Sequence, residues 1–120
     1  MVDILKDRVI SEKDAVMFDI DDTLIFTNGQ ANVPIINLLK YAMNLGYKII
    51  IITARPNTIF TGMFTKWQLK KYGIPYHSLI ITPAQNKGNV KVQTGLNYIL
   101  SVGDQPTDLT HTKYAIKISI

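Results

Sequence analysis

The sequence predicts an α/β domain of three layers: a parallel sheet of about five strands with helices on both faces. Three observations lead there. Short, nearly continuous aliphatic runs recur along the chain, segments of helical periodicity separate them, and three of the runs end on chemically capable residues, Asp19, Thr53 and Asp104. Continuous apolar runs mark strands covered on both faces, and strands alternating with helices build parallel sheets.

Each element follows in order. Ala15 to Ile20 is apolar except for Asp19, which stands at the carboxyl end of the first strand. After the polar stretch TNGQAN, Pro34 opens a helix whose Ile35, Leu38, Leu39, Ala42 and Leu45 share a face and which Gly46 closes. Tyr47 to Thr53 (YKIIIIT) is a second buried strand, broken by ARPN. A helix carrying Ile59, Phe60, Met63, Phe64 and Trp67 then runs to Gly73. That spacing predicts core residues rather than a base-stacking platform, with Lys66, Lys70 and Lys71 on the solvated side. Ser78 to Thr82 (SLIIT) is the third strand, stopped by Pro83. Asn89 to Tyr98 reads as a shorter helix, although Gly95 inside it costs about 1 kcal/mol. Ile99 to Val102 and Tyr114 to Ile118 complete the sheet.

The chain has 120 residues, which suits a single domain over 1–120. With 47% hydrophobic and 18% charged residues it has the balance of a globular protein, not of a disordered one. Charge recurs through MVDILKDRVISEKD, so this stretch lacks the apolar core of a secretory leader. The longest aliphatic run, Ile49 to Ile52, is too short to cross a bilayer, and a cytoplasmic protein with no membrane partner is expected. The absence of cysteine excludes disulfides, thiolate nucleophiles and sulfur-ligated zinc or iron. Any metal would take oxygen ligands, which means magnesium, manganese or calcium. The net charge of +4 describes an ordinary basic surface that also attracts phosphate-bearing partners.

FDIDDTL, from Phe18 to Leu24, crowds three carboxylates behind an apolar strand. In an extended segment Asp19 and Asp21 face the same side, roughly 6 to 7 Å apart, and repel by about 2 to 3 kcal/mol at an effective dielectric near 20. Asp22 and Thr23 suit a turn. Asp19 and Asp21 need a divalent cation, an anionic substrate held by counter-charges, or a shared proton. SVGDQPTDL, residues 101 to 109, supplies more acid: Gly103 loosens the strand exit, Asp104 stands at its mouth and Asp108 lies four residues on. In a parallel sheet, ligands bind at the carboxyl ends of the strands, where all these residues fall. Asp19, Asp21 and Asp104 form a partial shell for a hard cation. Thr53 offers a hydroxyl to a phosphoryl oxygen, with free N–H groups beside it. Lys87 or Lys91 would supply positive charge, and Arg55 either does likewise or pairs with a nearby acid. His77 and His111 have no partner at metal spacing and read as structural or surface residues. The loop from Phe26 to Asn32 is either a cover for the site or a plain connection.

These motifs together resemble the haloacid dehalogenase superfamily of phosphotransferases. DIDDT at Asp19 to Thr23 is similar to the first motif of that family, IIIIT ending at Thr53 to its second, and GDQPTD at Gly103 to Asp108 to its fourth. Lys87 with Lys91 fits the third in the acid phosphatase branch, the closest likeness. The resemblance implies a Rossmann-like fold over residues 15 to 118. The short intervals between motifs leave no room for a cap domain. It further implies magnesium-dependent phosphomonoester hydrolysis in which Asp19 becomes an aspartyl phosphate and Asp21 serves as acid and base. Asp19, the Asp21 carbonyl and Asp104 would hold the metal, Asp108 would complete the outer shell, Thr53 and Lys87 would grip the phosphoryl oxygens, and Thr23 would brace the turn. An open site further implies a large substrate, modest selectivity or a homo-oligomer acting as lid. Two alternatives stand beside this reading: a phosphatase of nucleic-acid 3' ends on the same fold, and a non-enzymatic module, either receiver-like or metal-binding. Receivers accept phosphate on an aspartate ending the third strand, and SLIITP has no acid there.

Overall fold

The computed structural model describes residues 3 to 119; residues 1, 2 and 120, which belong to the domain expected over 1–120 and in part to the stretch read for a leader, lie outside the described residues. The described chain runs α1 (Asp3–Lys6), β1 (Asp14–Phe18), α2 (Val33–Leu45), β2 (Lys48–Thr53), α3 (Ile59–Lys71), β3 (Ser78–Ile81), α4 (Lys87–Thr94), β4 (Asn97–Gly103) and β5 (Tyr114–Lys117). Five strands form one sheet in the order β3-β2-β1-β4-β5, every pair parallel. The short turn α1 is an addition to the sequence expectation. Its Leu5 is fully buried, and its carbonyl accepts from the Tyr47 hydroxyl at 2.7 Å.

Alternation along the strands divides the core. Val16, Phe18, Ile49 and Ile51 pack with Ile36, Leu39 and Ala42 of α2 and Leu69 of α3, whereas Ala15, Met17, Ile50 and Ile52 face Val90 of α4 and Leu96 beyond it. The sheet therefore carries α2 and α3 on one face and α4 on the other, as right-handed crossovers require when the chain steps outward through β2 and β3 and then returns past β1 to β4. The pairing of β1 with β4 slips by one residue between Ala15 and Val16, where Ile99 is the extra residue of a bulge.

Two expectations are corrected. The helix assigned to Asn89–Tyr98 lies at Lys87–Thr94, and Gly95 ends it instead of interrupting it, in the left-handed conformation at φ 67°. On α3 the aromatic stripe is not core. Thr65 and Leu69 are the buried residues, while Ile59, Phe60, Met63, Phe64 and Trp67 stand in solvent. The helix is fixed at its start by Thr58, whose hydroxyl accepts from the Thr61 N–H at 3.1 Å.

No cap interrupts the layers among the described residues. The connection after the acidic turn is a small hairpin in which Phe26 donates to Gln30 at 2.9 Å, and β3 reaches α4 through one 3-10 turn, Ala84–Asn86. The Tyr72 hydroxyl donates to the Gly29 carbonyl, so the loop expected from 26 to 32 is tied down to the end of α3. Among the described residues no helix is long and apolar enough to cross a membrane.

Candidate active site

A pocket of 350 Å³ opens at the carboxyl edge of the sheet, lined among others by Asp19, Asp21, Thr53, Arg55, Lys87 and Asp104. These residues arrive from four places in the fold: the ends of β1, β2 and β4 and the start of α4. Asp19 follows β1 directly, and its N–H, donating to the Val102 carbonyl at 3.0 Å, extends the β1–β4 pairing past the strand. Thr53 is the buried last residue of β2, Lys87 the first of α4, and Asp104 follows β4.

Asp108 lies beneath the pocket floor, behind Lys87. It is fully buried, and its Oδ2 accepts from the Gln105 N–H at 3.2 Å, closing the loop on itself. Gly103 makes this possible: a Cβ there would stand 2.3 Å from the Asp108 Cβ, far inside van der Waals contact. Asp19, Asp104 and Asp108 present carboxylate oxygens that all lie within 4.8 Å of one another. The Lys87 ammonium, itself buried, sits 2.5 Å from Asp108 Oδ1 and 3.2 Å from Asp19 Oδ1. Two of the three acids thus share one base, and Asp104 stands beside them without touching it. Burial raises the Asp19 carboxyl to about 7, against the pull of Lys87 and with the help of Asp108.

A hard divalent cation fits this donor set. The ligand atoms are all oxygen, they converge, and their excess of negative charge is what a dication offsets. Asp21 is placed differently from the other acids. Its carboxylate is exposed at the mouth of the pocket, where Arg55 holds it with Nη2 and Nε at 2.8 and 3.0 Å. The acid partner left open for Arg55 is therefore Asp21.

Lys87 and Lys91 divide their work. Lys91 is also buried, but its ammonium donates to Ser101 Oγ at 2.9 Å and to the Asp108 and Thr110 carbonyls at 2.7 Å each, beneath the pocket. Lys87 is the ammonium that enters it. Asp22 builds the turn, left-handed at φ 59° and accepting from the Thr27 N–H and hydroxyl at 3.0 and 2.7 Å. The Thr23 hydroxyl, expected to brace that turn, is buried with no hydrogen-bond partner among the described residues; the Thr23 carbonyl accepts from Asn32 instead. His77 is structural, its Nδ1 accepting from the Ile49 N–H at 2.8 Å, and His111 lies at the surface against Thr110. Gln105 and Thr107 also line the pocket. Sequence reasoning passed over both, and their only signal was their position inside the GDQPTD turn.

The chain belongs to the haloacid dehalogenase-like hydrolases, whose family profile matches residues 16–109. Comparison with curated proteins gives no match. Among solved structures, a chain of the Pnkp1/Rnl/Hen1 complex superposes with a TM-score of 0.64 at 25% identity, over 82% of this chain and 42% of that one. The protein therefore spans less than half the length of that relative.

Proposed function

We propose that the protein is a magnesium-dependent phosphomonoester hydrolase of the acid phosphatase branch, working through an aspartyl phosphate on Asp19. The observation that carries this reading is the meeting of Asp19, Asp104 and Asp108, from opposite ends of the sequence, at the sheet edge where ligands bind, with the buried Lys87 paired to Asp19 and Asp108.

Asp19 points into the pocket as nucleophile, and its attack on phosphorus displaces the alcohol. Lys87 and the Thr53 hydroxyl hold the phosphoryl oxygens, and the N–H groups after β2 add donors. Asp21, at the solvent side, protonates the leaving oxygen and afterwards takes a proton from the water that hydrolyses the acyl phosphate. Arg55 keeps that carboxylate at the entrance. Asp19, the Asp21 carbonyl and Asp104 would hold magnesium, with Asp108 positioning Lys87 behind them. Magnesium, when bound, supplies the charge that lets an anionic nucleophile approach an anionic ester.

The test is hydrolysis of an aryl phosphate with magnesium and with a chelator. Turnover that survives the chelator, or none with any monoester, removes the reading. Nucleoside monophosphates run beside 3'-phosphorylated oligonucleotides distinguish a small-molecule enzyme from one acting on nucleic-acid ends, the form that an uncapped pocket favours.

A further inference from the structure

Five large apolar side chains of α3, namely Ile59, Phe60, Met63, Phe64 and Trp67, are 52 to 84% exposed. They are not scattered. Ile59, Met63 and Trp67 follow each other at four-residue steps, Phe60 and Phe64 form the adjoining row, and the Phe64 and Trp67 rings lie 5.8 Å apart. With aromatic side chains offering 150 to 250 Å² each, the stripe presents on the order of 600 Å², the upper end of what a monomer leaves bare. Two such stripes face to face would remove on the order of 1,200 Å² from water, within the range of specific interfaces.

Charge selects the occupant and its direction. α3 contains no acid, and Lys66, Lys70 and Lys71 all lie in its C-terminal half. Its N-terminal end adjoins the pocket, where Asp19, Asp21, Asp22 and Asp104 outnumber Arg55 and Lys87. Parallel packing of two copies would set lysine against lysine, whereas antiparallel packing sets the basic half of each helix beside the acidic mouth of the other.

We propose that the α3 stripe is the contact of a symmetric dimer, the two α3 helices running antiparallel and bringing the partner's Lys71 to the mouth of each catalytic pocket. A two-fold axis between Met63 and Phe64 sets Phe60 against the partner's Trp67, so the same rows meet from both sides, as an isologous interface demands. At 1.5 Å per residue, Ile59, the first residue of α3 and three positions after the pocket-lining Pro56, lies about 7 Å along the axis from that centre, and the partner's Lys71 lies about 11 Å from it on the same side. The role of Lys71 rests on the phosphatase reading; the assembly does not.

Sedimentation of the full chain between about 1 and 100 µM should show a species of twice 13.5 kDa forming together with a blue shift of tryptophan emission, which reports Trp67 alone because it is the sole tryptophan. The chain has no cysteine, so Met63→Cys places one thiol next to the axis, and mild oxidation should link two copies. Val92→Cys, equally exposed at 65% but on α4, should remain unlinked. Trp67→Glu should stay monomeric with an unchanged circular dichroism spectrum. Lys71→Glu should keep the dimer mass and raise KM about tenfold; an unaltered KM overturns the placing of that lysine. A monomer throughout the concentration range overturns the dimer. So does a monomer whose Trp67 emission is quenched by a single-stranded oligonucleotide, which would assign the stripe to base stacking. A dimer without aryl phosphatase activity would leave this proposal standing and remove the functional one.

Discussion

Arg55 grips Asp21 at two points, 2.8 and 3.0 Å, and is itself moored to α3 through Thr65 Oγ1 at 3.1 Å. A planar guanidinium makes this fork; an ammonium, as a point charge, does not. Arg55→Lys should therefore lower kcat/KM for an aryl phosphate about tenfold, equivalent to about 1.4 kcal/mol, with little change in melting temperature. Full activity in the variant would show that the orientation of Asp21 is irrelevant to turnover.

Asp19→Asn should abolish hydrolysis, by a factor of at least about 10⁴, and leave the fold intact. The same substitution has a stability signature with chelator present. Burial holds the Asp19 carboxyl at about 7 in the folded chain against 3.8 when unfolded, so between these values the folded state binds the extra proton. Stability from this group therefore grows as pH falls from about 7 toward about 4 and is lost as pH rises through 7. Melting temperatures at about pH 5 and about pH 7.5 should show that slope in the parent and a flatter one in Asp19→Asn. An identical slope in both proteins would count against the buried, proton-sharing carboxyl.

Lys91 supports the site from below. Burial pulls its pKa down to about 8, so it is still charged at neutral pH, and its three bonds tie Ser101 of β4 to the loop that carries Asp108. Lys91→Met keeps the length but strands two carbonyls and a hydroxyl. It should cost about 3 kcal/mol in denaturant unfolding and weaken magnesium activation. A loss smaller than about 0.5 kcal/mol would mean that water replaces the ammonium freely.

Gly103→Ala places a methyl 2.3 Å from the Asp108 Cβ, so Asp108 has to move. The expected cost is about 1 to 3 kcal/mol of stability, accompanied by a higher magnesium concentration for half-maximal activity. Magnesium dependence equal to the parent's in a well-folded variant would remove Asp108 from the proposed metal site.

The strands and the polar residues at their ends were legible because both signals are local: a buried strand is a run of aliphatic residues, and the acids sit immediately behind it. That Asp19 and Asp104 share an edge followed from both standing at carboxyl strand ends; the adjacency of β1 and β4, which brings their oxygens and those of Asp108 within 4.8 Å, was seen only in the structure. What failed needed tertiary information. Periodicity on α3 shows that Phe60, Phe64 and Trp67 share a side but not that Thr65 and Leu69, on the other side, are the ones turned inward. Gly95 looks the same in sequence whether it weakens a helix or ends one; its left-handed φ decides. Lys87 and Lys91, four residues apart on one helix, could be assigned only after the Asp108 loop was seen to pass between their ammoniums.

One face of the sheet depends on α4, an eight-residue helix whose first residue reaches the pocket and whose fifth secures the floor. If that helix peels away on warming, both contacts vanish at once while the strands and the opposite layer stay assembled. Heat inactivation would then run ahead of melting, and a sample that looks native by its overall spectrum would already be silent.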